Sequence, residues 1–309
     1  MNEASASTIQ DSLKGHWVNR LPKPLLPYAQ VMRLDRPIGW WLLLLPCWWG
    51  LALAQLAQGD GSFNLYFFVL MFLGAVTMRS AGCIFNDVLD RDIDARVERT
   101  KNRPLPSGRL TVKSALALAA ALSLLGLVIL WQFNRLTVIT AIASLALVAI
   151  YPLMKRVTNL PQLVLGFTFN WGALVGWTAI AGHFAPACLV LYAAGISWTM
   201  AYDTIYAHQD SKDDAVIGVK STALLFGRFT TAWLVSFFAG SLLLVDLALW
   251  LVSAPLISHL GVAAAAAHAT WQILRLENAD TARCLQLFRS NRDFGLLVLA
   301  GMIAGCFIR

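Results

Sequence analysis

The sequence predicts an all-α membrane protein, a polytopic bundle of nine transmembrane helices. Three observations predict it. Apolar runs of roughly twenty residues repeat along the chain between short polar loops. Only 13% of residues are charged against 58% hydrophobic, with a mean hydropathy of +0.63, whereas soluble domains carry about a quarter charged residues. Third, the cations fall almost wholly into alternate loops.

Residues 1–28 form a polar segment, expected on the cytoplasmic side, ahead of a membrane domain expected at 29–309. They lack the cationic start and apolar run of a cleaved signal peptide, and carry too many acids for an organellar leader. Pro27 to Leu34 reads as a short amphipathic piece on the membrane surface. Apolar segments follow at 37–58, 64–86, 111–133, 136–154, 160–181, 185–209, 226–252, 255–276 and 291–308. Pro37, Pro161 and Pro255 sit near starts, where a missing N–H costs little, while Pro46 falls inside the first segment and should bend it.

With the N-terminus inside, 21 of the 24 Lys and Arg residues lie on the inner side. Arg135 and Arg309 fall outside, and Arg79 lies within a span. A lost or added span would scramble this asymmetry. The net charge of +7 is therefore a topology signal, and a nucleic-acid partner, which needs a basic face on a soluble domain, is excluded. The same count places both acid-rich segments on the cytoplasmic side, and the membrane is expected to be a bacterial inner membrane. The five cysteines show no paired spacing for disulfides or zinc.

Two acid-rich segments share the inner side. In the first, Asn86, Asp90 and Asp94 are four apart, so on a helix at about 100° per residue they share a face, with Asp87 beside them. In the second, Asp203, Asp210 and Asp214 form a similar row. Two rows of carboxylates at one membrane depth suit a hard cation held by oxygen, such as Mg²⁺ together with substrate phosphates. The loop Arg99–Gly108, RTKNRPLPSG, follows the first row, and its Lys101 and Arg103 can clamp a diphosphate. Lys155, Arg156 and Lys220 reach the same side, and Arg79 lies deeper in its span, where an ionisable group points to function. An ion-coupled transporter would instead place acids near the bilayer midplane, on broken helices in both halves. His259 and His268 read as packing residues, and Asp246 is expected to pair with a neighbouring helix.

NDVLDRDID (Asn86–Asp94) resembles the NDxxDxxxD motif of the UbiA superfamily of intramembrane prenyltransferases, and DSKDD (Asp210–Asp214) its DxxxD motif. MRLDRPIG (Met32–Gly39), RTKNRPLPSG, YPLMKRVTNLPQ (Tyr151–Gln162) and YDTIYAHQDSKDDAVIGVKST (Tyr202–Thr222) look like the branch acting on 4-hydroxybenzoate. FRSNRDFG (Phe288–Gly295) is similar to an Asn/Gly turn. The resemblance implies a central cavity capped by cytoplasmic loops, with RPLPSG as a lid. It implies Mg²⁺ and diphosphate on Asn86, Asp90, Asp94, Asp210 and Asp214, supported by Asp87, Asp203 and Tyr151. Arg79, Lys101, Arg103 and Lys220 would bind diphosphate; Arg156 and Arg36 would bind the aromatic acid. The implied reaction joins a polyprenyl diphosphate to 4-hydroxybenzoate, on the ubiquinone route. Haem, menaquinone and chlorophyll precursors are alternative acceptors within the superfamily.

Overall fold

A computed structural model describes residues 13, 15–97, 100–158, 160–209 and 221–308, and for residues 152–153 and 155–157 the backbone alone. Among the described residues the regular structure is entirely helical. Nine helices of 19 to 27 residues among the described residues occupy the apolar segments: α1 (Ile38–Gln58), α2 (Leu65–Leu89), α3 (Val112–Leu130), α4 (Arg135–Val157), α5 (Pro161–Ala181), α6 (Pro186–Ala207), α7 (Thr230–Leu251), α8 (Leu256–Leu274) and α9 (Thr281–Phe307). Five stretches among the described residues are long and apolar enough to cross a membrane by length and composition: α1, α2, α3, α5, and Thr222–Leu251, which contains α7.

The helix starts follow local chemistry. Thr111 caps α3 by accepting from Ser114 N–H at 3.1 Å, and Asn134 caps α4 by accepting from Thr137 N–H at 3.0 Å. Pro161 and Pro186 open α5 and α6 at the first helical position. The helix range of α1 continues through Pro46. The last helix departs from expectation, since α9 begins ten residues early. Asp280 caps it through Arg283 N–H at 2.9 Å, so a polar first turn precedes the apolar run that marked it in the sequence.

The chain divides into two compact units, Met1–Trp41 with Phe72–Gln132, and Leu42–Met71 with Phe133–Arg309; two of the three boundaries fall inside α1 and α2, and the third lies between α3 and α4. In the first unit Val31, Ile84, Leu105, Leu110 and Ala115 form a buried cluster, with Tyr28, Met32, Val88 and Val112 packed against it. The short helix Leu26–Val31 therefore buries Val31 and Ala29 within the protein, where the sequence suggested a piece lying on the membrane surface. The polar start of the chain is attached as well: Val18 is buried, and Leu13 N–H donates to Asp35 O at 3.3 Å.

In the second unit α6 packs against α7 and α5, α5 against α4, and α8 against α9. Between α1 and α5 the backbones nearly touch. A Cβ on Gly50 would stand 2.8 Å from Trp177 N, and one on Gly176 2.9 Å from Leu51 N. Small residues permit this approach, and in lipid such packing replaces the hydrophobic drive that holds soluble helices together. Trp49, Trp198 and Phe294 fill the interior nearby, with Trp198 and Phe294 stacked at 5.5 Å.

Buried polar groups are joined in the same region. Trp198 Nε1 donates to Asn291 Oδ1 at 3.0 Å, and Asn291 Nδ2 to Gln272 Oε1 at 2.9 Å and Leu287 O at 3.1 Å. Trp49 Nε1 donates to Gly295 O at 2.9 Å. The segment Phe288–Gly295 is thus the interior of α9 and not the turn its Asn and Gly suggested. Asp246 on α7 pairs with His259 on α8 at 2.6 Å, as expected for an acid between helices.

Candidate functional site

The first acid row lies where α2 ends. The helix stops at Leu89, Asp90 takes up φ −92° and ψ 4°, and a four-residue helix, Arg91–Asp94, follows. That conformation is the sparsely used bridge region, where site residues often sit. The spacing of four survives the break, because Asp90 N–H donates to Asn86 O at 2.9 Å and Asp94 N–H to Asp90 O at 2.8 Å. Burial divides the row in a way that a single continuous helix did not predict. Asn86 and Asp90 are exposed, whereas Asp87 and Asp94 are buried.

The buried acids are held by arginines. Arg33 Nη2 donates to Asp87 Oδ1 at 2.5 Å. Arg103 Nη1 donates to Asp94 Oδ2 at 2.6 Å and stands 3.6 Å from Asp87 Oδ1. Burial alone would lower the pKa of the Arg33 guanidinium, but Asp87, with Cys83, Asp35 and Asp94, outweighs it and holds it above the ordinary value. Arg33 thus stays cationic across the working pH range. In the sequence it counted only as one more inside cation; the acid 54 positions away that gives it a role is visible only in the fold. It sits in a turn at φ 59°, and the preceding carbonyl, Met32 O, accepts from Ser80 Oγ on α2 at 3.2 Å.

The loop after the acids is docked in place. Leu105 lies in the buried cluster with Val31 and Ile84. Thr100 Oγ1 donates to Asp94 O at 2.9 Å. Arg109 Nη1 donates to Gln30 Oε1 at 2.9 Å, its Nε to Ser107 Oγ at 3.1 Å, and its Nη2 to Asn102 O. RPLPSG is therefore a packed part of the first unit and not a free flap.

Of the other expected residues, Lys101 is exposed and Arg79 half-buried, with its Nε 3.1 Å from where a Cβ on Gly39 would stand. Arg36 pairs with the buried Asp35 at 3.4 Å. In the second unit Tyr151 and Asp203 are half-buried on α4 and α6. Asp210, Asp214 and Lys220 lie outside the described residues, as does the side chain of Arg156. The stretch holding those acids and Lys220 is flanked by a contact between its two ends: Thr204 and Thr222 share a hydroxyl hydrogen bond of 2.7 Å, and Thr222 N–H donates to Gln162 Oε1 at 3.3 Å. Among the described residues no group of three or more His, Cys, Asp or Glu side chains is gathered as a metal site. The donors that are described are oxygens at a helix end, the chemistry of a hard cation.

Comparison with known proteins gives a consistent result. The UbiA prenyltransferase family matches residues 43–296. The mitochondrial 4-hydroxybenzoate polyprenyltransferase of Rattus norvegicus is 47% identical over 293 residues, covering 93% of this chain and 77% of that protein. The Homo sapiens protein of the same name is 45% identical with the same coverage. The apo structure of a UbiA homolog from Aeropyrum pernix K1 superposes with a TM-score of 0.71 at 26% identity, covering 85% of this chain and 97% of that one. A UbiA homolog from Archaeoglobus fulgidus bound to GPP and Mg²⁺ gives 0.65 at 19% identity, covering 91% and 100%, and shares the fold.

Proposed function

Because the chain belongs to the UbiA prenyltransferase family, we propose that it transfers a polyprenyl group from polyprenyl diphosphate to 4-hydroxybenzoate, at the ring carbon ortho to the hydroxyl, in ubiquinone biosynthesis. The observation that carries this is identity of 44–47% over most of the chain to proteins named for that activity.

Asn86, Asp90, Asp94, Asp210 and Asp214 hold Mg²⁺ in this reading. The exposed oxygens of Asn86 and Asp90 suit it, and Asp94 already holds a cation, Arg103. Asp87, turned inward onto Arg33, supports the row, with Asp203 and Tyr151 in supporting places on α6 and α4. Bound Mg²⁺ supplies the positive charge that stabilises the departing diphosphate. Lys101, Arg103, Lys220 and Arg79 bind the diphosphate oxygens, and Arg156 and Arg36 bind the carboxylate of the aromatic acid. Breakage of the allylic C–O bond leaves a carbocation and diphosphate. The ring carbon attacks the cation, and loss of the ring proton restores aromaticity. An apolar protein interior keeps water from the cation.

The protein is an integral membrane protein. We place residues 29–309 in the membrane as the catalytic domain, with all nine helices crossing it and 1–28 ahead of them. The cation asymmetry supports putting the N-terminus and both acid segments on the cytoplasmic face of a bacterial inner membrane. The relatives compared are mitochondrial by name, so targeting in the native host tests that placement. Purified protein given polyprenyl diphosphate, 4-hydroxybenzoate and Mg²⁺ should yield the prenylated acid. Folded protein that makes none would refute the assignment.

A further inference from the structure

Two residues suited to different ligands are bonded to each other. Asp94 is a carboxylate fitted to a cation, and Arg103 a guanidinium fitted to phosphate oxygens. Here Arg103 Nη1 donates to Asp94 Oδ2 at 2.6 Å, with the two side chains 16% and 11% exposed. Charges so far withdrawn from water need counter-charges close by. Each residue is supplying the other with the charge that its ligand would bring.

The surroundings hold the backbone on both sides of the pair. Thr100 Oγ1 holds Asp94 O at 2.9 Å, and Arg103 N–H donates to Thr100 O at 2.9 Å. Leu105, two residues beyond, is buried in the apolar cluster. A second carboxylate, Asp87, waits 3.6 Å from Arg103 Nη1. Its Oδ1 is held by Arg33 at 2.5 Å, and its buried Oδ2 accepts no hydrogen bond among the described residues. Asp87 therefore has spare acceptor capacity beside Arg103 and is itself pinned, so Arg103 can leave Asp94 and remain near a carboxylate.

We propose that the Arg103–Asp94 pair is an exchangeable counter-ion lock: a divalent cation and a diphosphate enter together, the cation replacing Arg103 on Asp94 while Arg103 passes to the phosphate. The proposal rests on the metal–diphosphate reading above. Alone, a cation must compete with Arg103 for Asp94, and alone, a diphosphate must compete with Asp94 for Arg103. Together each removes the other's competitor, which makes binding reciprocal and cooperative. The consequence has an unusual sign. Deleting this arginine should strengthen binding of the metal alone by freeing Asp94, and the charge-conserving Arg103→Lys separates that effect from the general gain of removing a nearby cation; a residue that only holds the fold would leave the affinity unchanged or weaken it.

The test uses the purified full chain in detergent, with Mg²⁺ uptake measured by calorimetry alone and in the presence of inorganic pyrophosphate, corrected for Mg²⁺–pyrophosphate association in solution. In the wild type, pyrophosphate should tighten Mg²⁺ binding by about tenfold or more. In Arg103→Gln, Mg²⁺ alone should bind about threefold or more tighter than in the wild type, and the pyrophosphate enhancement should shrink. Arg103→Lys, which weakens the contact without deleting the charge, should shift the same way by a smaller factor, and it decides the matter if the Gln variant fails to fold. Mg²⁺ affinity that is unchanged or reduced in the folded variants overturns the lock and leaves the metal–diphosphate site standing. A wild type that takes up no Mg²⁺ even with pyrophosphate overturns both.

Discussion

Arg33 and Asp87 are joined across 2.5 Å, although 54 positions of sequence separate them. The contact ties the turn before α1 to the end of α2, close to where Asn86 and Asp90 emerge. Both side chains are withdrawn from water, at 15% and 2% exposure, so removing one partner strands the other. Arg33→Gln should cost about 3 kcal/mol of stability. Adding Asp87→Asn should recover part of that loss, giving a coupling energy in a double-mutant cycle of thermal unfolding. Strictly additive losses would show that the pair does not hold these segments together.

Within the first acid row, the proposed roles of Asp90 and Asp87 predict different responses to substitution. Asp90→Asn alters an exposed carboxylate and should lower turnover by at least about a hundredfold with an unchanged unfolding temperature. Asp87→Asn alters a buried one, and should lower the unfolding temperature. Assays of both variants at equal folded protein concentration would expose a reversed pattern. Asp210→Ala should behave as Asp90→Asn does, and near-normal turnover in it would remove the second row from the metal site.

Arg156 is proposed to bind the carboxylate of the aromatic acid. Its loss should raise KM for 4-hydroxybenzoate by about tenfold, the scale of one charge-assisted contact. The KM for polyprenyl diphosphate should move little. Equal rises in both would count against the assignment.

Asn291 joins α9 to α6 through Trp198 and to α8 through Gln272. Hydrogen bonds between membrane helices contribute about 0.6 kcal/mol each on average, and the partners left behind add their own cost. Asn291→Leu should therefore destabilise the bundle by about 2 kcal/mol, read as a lower unfolding temperature in detergent. A neutral result would mean that Trp198 and Gln272 find other partners.

The contact of α1 with α5 leaves no room for a methyl group. Gly176→Ala places its Cβ against the backbone of Leu51, and should cost about 1–3 kcal/mol by overpacking. Unchanged thermal stability would show that the two helices can part without loss.

Helix positions were readable because the apolar period and the loop cations are both written locally. The start of α9 was not, because its first turns are polar and Asp280 caps them ten residues ahead of the apolar run. Asn86, Asp90 and Asp94 stand out by their spacing of four, which the backbone keeps even where the helix breaks at Asp90. Spacing cannot report which acids turn inward, because that depends on Arg33 and Arg103 arriving from elsewhere in the chain. The segment around Asn291 escaped for a similar reason: an Asn with a Gly four residues on resembles a turn, and only the approach of Trp198 and Gln272 makes Asn291 a buried junction. Asp246 could be assigned a helix neighbour on cost alone, but its partner, His259, could be identified only in three dimensions.

Leu105 has no polar atom in its side chain, yet its burial beside Val31 and Ile84 bears on how the proposed substrate would be met. A loop that orders only around its ligand loses conformational freedom at the moment of binding, and affinity falls accordingly. Here the ordering of residues 100–110 is completed when the chain folds. Under the proposed diphosphate role, the ligand meets a loop whose backbone is already ordered, and only side-chain partners, Arg103 with Asp94 among them, have to change.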